Sequence, residues 1–421
     1  MTSIWSLSLK SLKNRRISAL LTILSIAVSV ALLLGVERIR VEAKNSFTSS
    51  LSGTDLIVGA RSSPLNLLLY SSFHIGNATN NITWETYQEL ASDPAVAWTI
   101  PIALGDSHRE FRVMGSNQTL FKEFRYGDEQ SLSFKDGAAF SKLYDAVIGS
   151  TVAQQLGYTV GQKVILSHGV ESSGLQDHDD KPFQISGILE PTGTPLDKVI
   201  LVSLEGIEAL HIDWRNGAPP IAAFSVSAEK AAAMQLKPES ITAYYVGLKS
   251  RIAAFRYQRK VNDFKQEALT AILPGVALQE LWQLVGSAEK ALLVISIMVV
   301  LAGLTGMLTT ILSSLNERRR EMAILRSVGA RPVHIFSLMI IESLIYAIAG
   351  TLLGFAMLYG LLLLIQPIAQ SALGLYLPIS TPGIFELYLA SGVIGCSLLL
   401  GVIPAWRAYK NSLADGLTIR I

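Results

Sequence analysis

The sequence predicts an α-helical membrane protein with four transmembrane helices and a large α+β extracytoplasmic domain between helices 1 and 2. Three observations carry this. Half of the 421 residues are hydrophobic and only 16% are charged, with a positive mean hydropathy, a balance unusual for a soluble chain. Four apolar runs, 17–36, 291–315, 343–365 and 385–405, are each long enough to cross about 30 Å of hydrocarbon, which takes roughly 20 helical residues. The segment 37–290 has a different texture, with short β-like runs, turn residues and helical pieces.

Lys10, Lys13, Arg15 and Arg16 precede the first run, which continues without a charge to Glu37 and shows no small-residue cleavage pattern. That reads as a retained anchor rather than a cleaved signal. Upstream, 3–16 mixes Ile4, Trp5, Leu7 and Leu12 with Lys and Arg, the pattern of an amphipathic helix on the inner membrane surface or of a basic flank that sets topology. Segments 1–16, 316–332 and 406–421 hold 12 basic and 3 acidic residues, against 23 basic and 28 acidic in 37–290. The positive-inside rule therefore puts both termini and the 316–342 connection in the cytoplasm and the large domain outside. Cys396, the sole cysteine, lies in the fourth run. With no disulfide within the chain, the external domain must rest on its own core.

Within 37–290, VERIRVEAKNSF reads as a helical stalk continuing from the first span, and 250–290 as a second helical stalk, interrupted at Pro274 and Gly275. Strands are expected at 55–58, 164–167, 183–188 and 199–202, and helices at 83–91, 150–156 and 204–210. The polar stretch 167–181, SHGVESSGLQDHDDK, offers His168, Asp177, His178, Asp179 and Asp180 as metal-ligand types. Their spacing is not diagnostic, so a solvated acidic loop with no metal is the expectation. Sequons at Asn77, Asn81 and Asn117 are common by chance and add little.

The stretch 316–331, NERRREMAILRSVGAR, carries charge on one side of an apolar face made by Met322, Ala323, Ile324, Leu325 and Val328. Gly329 suits a helix C-cap and Pro332 the first turn of the next helix. The expectation is a short cytoplasmic helix, a tight turn, and a second helix rising to the membrane. Glu342 is expected at the interface, with a bend in the helix nearby, because a carboxylate at the bilayer centre is costly. Gly350 and Gly354 form a small-xxx-small pair, and Gly303/Gly306 and Gly392/Gly395 supply other small surfaces, for packing between spans or between subunits. Pro404, Trp406, Arg407 and Lys410 are expected to stop the last helix at the inner surface.

The sequence contains no GxxxxGK[ST], HExxH, GxSxG or GxGxxG. The spans also lack the paired ionisable residues expected of a proton relay. A nucleotide-hydrolysing motor would therefore be a separate polypeptide, and no chemistry on a substrate or nucleic-acid partner is indicated.

Glu317, Arg318, Arg320, Glu321, Ala323, Leu325, Arg326, Gly329 and Ala330 fit a motif of the form ER-x-RE-x-A-x-LR-x-x-GA. With the Gly-rich third span after it, this resembles the FtsX/MacB-type permeases of ABC transporters, the mechanotransmission or type VII class. The external stretches DLIVGARSSPLNLLLYSSFHIG (55–76) and PTGTPLDKVILVSLEGIEALHIDW (191–214) resemble a bacterial subgroup without a fused ATPase. The resemblance implies a homodimeric, non-catalytic subunit of a bacterial inner membrane. Its coupling helix, Glu317 to Arg331, would dock on a separate ABC ATPase that holds ATP and Mg. The MacB-like periplasmic core domain would then move to export or extract a substrate, with a periplasmic adaptor or substrate protein as further partner. An alternative of another class is an FtsX-like signalling subunit that regulates a periplasmic enzyme. An ion-coupled carrier is disfavoured by spans so poor in ionisable groups.

Overall fold

The structure, a computed structural model, describes Ser8, Leu12 and residues 15–169, 178–214, 226–317, 319–373 and 381–414. Most of the expected amphipathic segment 3–16 lies outside these residues. The chain divides into two compact units, one built on the long apolar helices and the other on Ala43–Val285. The first helix, α1, runs Arg16–Ser49, and its Arg16–Glu42 portion is long and apolar enough to cross a membrane.

The external domain follows as β1 (Leu56–Ala60), α2 (Pro64–Ser72), α3 (Trp84–Ala91), β2 (Val96–His108), β3 (Phe111–Ser116), β4 (Phe134–Gly137) and β5 (Asp145–Ile148). Next come α4 (Ser150–Leu156), β6 (Lys163–Val164), β7 (Ser167–His168), β8 (Phe183–Leu189), β9 (Val199–Ser203) and α5 (Leu204–His211). It closes with β10 (Ala243–Leu248), α6 (Ala254–Asn262) and β11 (Leu269–Ile272). These 11 strands form one sheet ordered β11-β1-β10-β2-β3-β9-β5-β8-β4, with β7 on β2 and β6 on β8. The 13-residue β2 holds the sheet together. Its first half pairs with β10 and its second half with β3, and the register shifts between Leu104 and Ser107.

Central strands are largely apolar because both their faces are covered: every residue of β1 (LIVGA) and β9 (VILVS) is buried. One core gathers Leu56, Val58, Tyr244 and Val246 of β1 and β10 with Tyr257 and Val261 of α6. Another gathers Val113, Ile148, Ile185 and Ile200 of β3, β5, β8 and β9 with Val152 of α4 and Leu210 of α5. The two recognisable external stretches do scaffold work. In 55–76, the Asp55 carboxylate accepts from the Leu248 amide at 2.7 Å, Ser63 caps α2 by accepting from the Asn66 amide at 3.2 Å, and α2 lays Leu67 and Tyr70 so tightly over Gly59 that no Cβ would fit there. In 191–214, the Asp197 carboxylate accepts from the amides of Thr192 at 2.9 Å and Gly193 at 2.8 Å, and Ser203 caps α5 through the Gly206 amide at 3.0 Å.

The expected helical stalk at 250–290 is corrected. A 3-10 turn at Arg251–Ala253 and the short helix Ala254–Asn262 give way to Leu269–Ile272, which forms β11, a strand antiparallel to β1. An edge of the sheet was available to this short apolar run, and tertiary pairing outweighed its weak helical pattern. Pro274 then opens a helix rather than interrupting one, since a proline in the first turn has no amide to lose.

His74 makes the external domain sensitive to acid. It sits in left-handed backbone, φ 56°, with Nε2 shut away from solvent. Burial, reinforced by the Arg112 charge, lowers its pKa from 6.5 to about 4. Between these values the unfolded chain binds the proton and the folded one does not. The stabilising effect is thus complete above pH 6.5 and lost as pH falls toward 4, by up to about 3 kcal/mol. Thermal melts of the purified chain across this window should show the loss. The His74→Asn variant, which tolerates positive φ and does not titrate, should show a flatter profile.

The remaining helices are α7 (Pro274–Glu317), α8 (Arg319–Ser327), α9 (Pro332–Leu373) and α10 (Ile384–Ala414). With α1, three of them hold candidate spans, at Pro274–Leu315, Pro332–Gln366 and Ile384–Lys410. The end of α1 and the start of α7 run side by side. Phe47 meets Trp282 edge to face at 5.8 Å, and Arg40 lies 3.8 Å from Glu289. A further correction concerns Pro404, which sits inside α10 and does not end it. One missing backbone bond is tolerated in a transmembrane helix whose neighbours and local adjustments re-satisfy the freed carbonyl.

Candidate functional site

The segment 316–331 has a defined local geometry. Helix α8 ends in a Schellman motif: Gly329 adopts φ 96°, its amide donates to the Arg326 carbonyl at 2.9 Å, and the Ala330 amide donates to the Leu325 carbonyl at 2.9 Å. The turn passes straight into α9, where the Arg331 amide donates to His334 Nδ1 at 3.1 Å, one half of a capping box. Both ends of the turn are fixed by the chain's own donors and acceptors. Met322 is buried, whereas Ile324 and Val328, one turn apart, are 56% and 83% exposed. Arg326 and Leu325 are half-buried. Arg318 lies outside the described residues, and Glu317, Arg320 and Glu321 are described as backbone only.

Glu342 lies within one unbroken helix that carries both the segment after the turn and the third span. Its side chain is buried and accepts from the Tyr346 hydroxyl at 3.3 Å. It lines a cavity of about 710 Å³ together with Arg15, Arg16, Thr310, Ser314 and Tyr346, and Arg15 donates to the Ser314 carbonyl at 3.2 Å. The carboxylate therefore faces basic and hydroxyl groups of the protein. Gly350 and Gly354 meet α1, where added Cβ atoms would lie 2.6 Å from Ile26 and 2.8 Å from Val30. Gly303 packs on Ser29 of α1, while Gly306, Gly392 and Gly395 have open space beside them.

Beyond the 17–36 run, Arg38 forms a long-range ion pair with Glu386 that the sequence did not announce. Arg38 Nη1 lies 3.3 Å from Glu386 Oε1, with the side chains 3% and 9% exposed. The same guanidinium donates to the Tyr359 hydroxyl at 3.3 Å and lies over the Tyr359 ring at 5.4 Å. Arg38 lies two positions beyond α1's apolar run and Glu386 is the third residue of α10, and 348 positions separate them. No local pattern could pair them.

In the external domain, the expected solvated loop is only partly so. Asp179 and Asp180 are exposed, and Asp177 lies outside the described residues, but His178 is buried. His168 and His178 join Asp106 and His211, two residues the sequence did not single out, in a cluster whose ligand-type atoms all lie within 4.8 Å of one another. Register brings His168 and Asp106 together, because His168 on β7 stands opposite Asp106 on β2 and its Nδ1 is 3.2 Å from the carboxylate. His211 Nε2, at the end of α5, approaches Asp106 Oδ1 to 3.4 Å. Burial works to raise the Asp106 pKa, but His168 and His211 outweigh it and hold the group at about 2. For His211 burial lowers the pKa and Asp106 more than restores it, while burial lowers that of His178. Trp214 lies beside the cluster, its ring 4.8 Å from that of His178 and tilted 44° to it. A signal existed in the sequence: three histidines within 44 positions and a lone aspartate in the apolar run before them.

Comparison with known proteins gives a consistent kinship. The family model described as the MacB-like periplasmic core domain matches residues 19–244, and that of the FtsX-like permease C-terminal matches residues 293–413. A macrolide export ATP-binding/permease protein MacB of Shewanella oneidensis is 21% identical across 98% of this chain, which spans 60% of that protein's length. A MacB protein of the same description from Shewanella sp. (strain W3-18-1) is 31% identical over 31% of the chain and 20% of its own length. Among solved structures, the extracellular domain of the noncanonic ABC-type transporter YknZ from Gram-positive bacteria overlaps 52% of the chain and 99% of that domain, at 14% identity and TM-score 0.30. The periplasmic region of MacB from Actinobacillus actinomycetemcomitans overlaps 55% of the chain and 94% of that region, at 9% identity and TM-score 0.33. With one of these family models covering more than half of its residues, the chain belongs to the FtsX/MacB-type permeases of ABC transporters.

Proposed function

We propose that this chain is the permease subunit through which a separate ABC ATPase, holding ATP and Mg, drives movement of the external domain and thereby export or extraction of a substrate. The observation that carries the reading is the capped helix α8, held at a fixed turn and offering Ile324 and Val328 to solvent. Two large aliphatic side chains on one helical face are a natural anchor for a groove on a partner. The energy source is assigned to that partner. Two copies of the chain in a bacterial inner membrane, with termini and α8 cytoplasmic and the sheet domain periplasmic, complete the proposal. A periplasmic adaptor or substrate protein would receive the motion, and no catalytic group is required of this chain. The export direction follows the MacB relatives, which are macrolide export proteins.

The test is ATP hydrolysis by the reconstituted complex. An Ile324→Asp/Val328→Asp variant should lose ATPase association and bring stimulated hydrolysis down at least about tenfold, the size expected if each anchor contributes 1 to 2 kcal/mol. The Gly329→Val variant, strained at φ 96°, should do the same by reorienting α8. Unchanged stimulation in both, with normal amounts of folded protein, would overturn the assignment.

A further inference from the structure

We propose that Asp106, His168, His178 and His211 form a binding site for a divalent transition-metal ion of the tetrahedral, zinc-like type. The proposal is independent of the transport reading, since all four residues belong to the external sheet domain.

The donor set and its arrangement carry the inference. Three imidazoles and one carboxylate are ligands that suit zinc and its neighbours in the first transition row. Zinc sits about 2.0 to 2.2 Å from such atoms, so the ligands of a tetrahedral ion lie roughly 3.5 Å apart. The four donors here already fall within 4.8 Å of one another. Small side-chain rotations close the difference.

The hydrogen bonds around the cluster leave lone pairs pointing inward. His211 Nδ1 is 3.0 Å from the Ile207 carbonyl oxygen, so Nδ1 must carry the proton and donate it. In the neutral ring, Nε2 is then an acceptor, and it faces Asp106 Oδ1, also an acceptor, at 3.4 Å. Two acceptors so placed need a cation between them or a proton on one. His178 Nε2 is buried and has no hydrogen-bond partner among the described residues, a costly state that a bound metal would relieve. A carbonyl held by the distal nitrogen is also how metal-binding histidines are usually oriented.

The scaffold fixes the ligands from outside. The His178 amide donates to the Leu166 carbonyl at 2.9 Å, next to the strand that supplies His168. Lys181, three residues further on, forms a 2.8 Å ion pair with Asp213 in which both side chains are 1% exposed, and it donates to the Leu210 carbonyl at 3.4 Å. This ion pair clips the 178–181 segment to the end of α5 that carries His211. It also occupies the nearby lysine, and among the described residues no lysine or arginine pairs with Asp106. His168 is 45% exposed and gives an ion a route in. Four protein ligands leave no open position, so the site is of the structural kind. It would tie β2, β7 and α5 to one ion supplied from outside the membrane.

The competing arrangement is a protonated histidine network without metal. To separate the two, the purified full-length chain in detergent, stripped by a chelator, would be titrated with Zn²⁺ against a chromogenic competitor and with Co²⁺ by absorption. The expected result is one Zn²⁺ per chain with submicromolar affinity, an intense tetrahedral Co²⁺ spectrum, and a melting midpoint that rises with Zn²⁺. His178→Ala and His211→Ala should each weaken binding by at least about 100-fold, whereas Asp179→Asn/Asp180→Asn should leave it unchanged. Melts of the stripped variants against the stripped wild type show whether each one folds. The proposal is overturned if the wild-type chain fails to bind Zn²⁺ at about 10 μM, a measurement that depends on no variant. It is equally overturned if folded His178→Ala/His211→Ala binds as tightly as wild type.

Discussion

Replacing Arg38 by methionine should destabilise the helical unit by about 3 to 5 kcal/mol, the usual cost of leaving one buried charge without its partner. Glu386 is the charge left behind. Its carboxylate is 9% exposed and lies 3.3 Å from the guanidinium, and its remaining support among the described residues is the Gly383 amide, which donates to it at 3.2 Å, the reciprocal half of a cap on α10. One amide and the positive end of a helix are worth about 1 to 2 kcal/mol to an anion, too little to replace a guanidinium. Arg38 would also vacate its hydrogen bond and its stacking on Tyr359. The double variant Arg38→Met/Glu386→Leu should recover most of the loss, because paired charges repay little more than their desolvation. Thermal unfolding of the detergent-purified chain measures both. A stable Arg38→Met protein, or a double variant no better than the single one, would show that the pair does not hold α1 to α10.

What the sequence made legible was local, and what it hid was long-range. Caps and turns are written within four residues. Gly329 and Pro332 announced the turn after α8, and the runs at 150–156, 183–188 and 199–202 correspond to α4, β8 and β9. Long apolar runs likewise announced the four spans. Pairings that cross the chain are not written in that way. Arg38 finds Glu386 through the packing of α1 and α10. Asp106 meets His168 only because β7 takes a particular register on β2, and His178 and His211 join them from two further segments. The stretch 167–181 looked like a solvated acidic loop because Asp179 and Asp180 are indeed exposed, and their charge masked the buried histidine beside them. Leu269–Ile272 was misread for a related reason, since so short and largely apolar a run follows whichever neighbour offers it hydrogen bonds.

Gly350 and Gly354 set how closely α1 and α9 can approach, so Gly350→Leu/Gly354→Leu should separate them. In a bilayer no hydrophobic force draws two apolar helices together, and close van der Waals packing at small residues does that work instead. An added Cβ at Gly354 would lie 2.8 Å from Val30 and 3.0 Å from the Ala27 carbonyl, and one at Gly350 2.6 Å from Ile26 and 3.3 Å from the Ile23 carbonyl. Side chains can turn aside, but carbonyls on the facing backbone cannot, so the helices must move apart. Overpacking costs about 1 to 3 kcal/mol per site, and here it would fall on the helix that carries the turn from α8 into the third span. Alanine separates this account from a general intolerance of the positions. Gly350→Ala alone should lower the melting temperature, and Ile26→Ala in the same chain should restore part of it by opening room for the new methyl. The same exchange should hold for Gly354→Ala with Val30→Ala. A compensating pair of this kind reports contact between two helices rather than an effect on either one. Additive losses in both pairs would mean that the glycines serve some need other than the approach to α1.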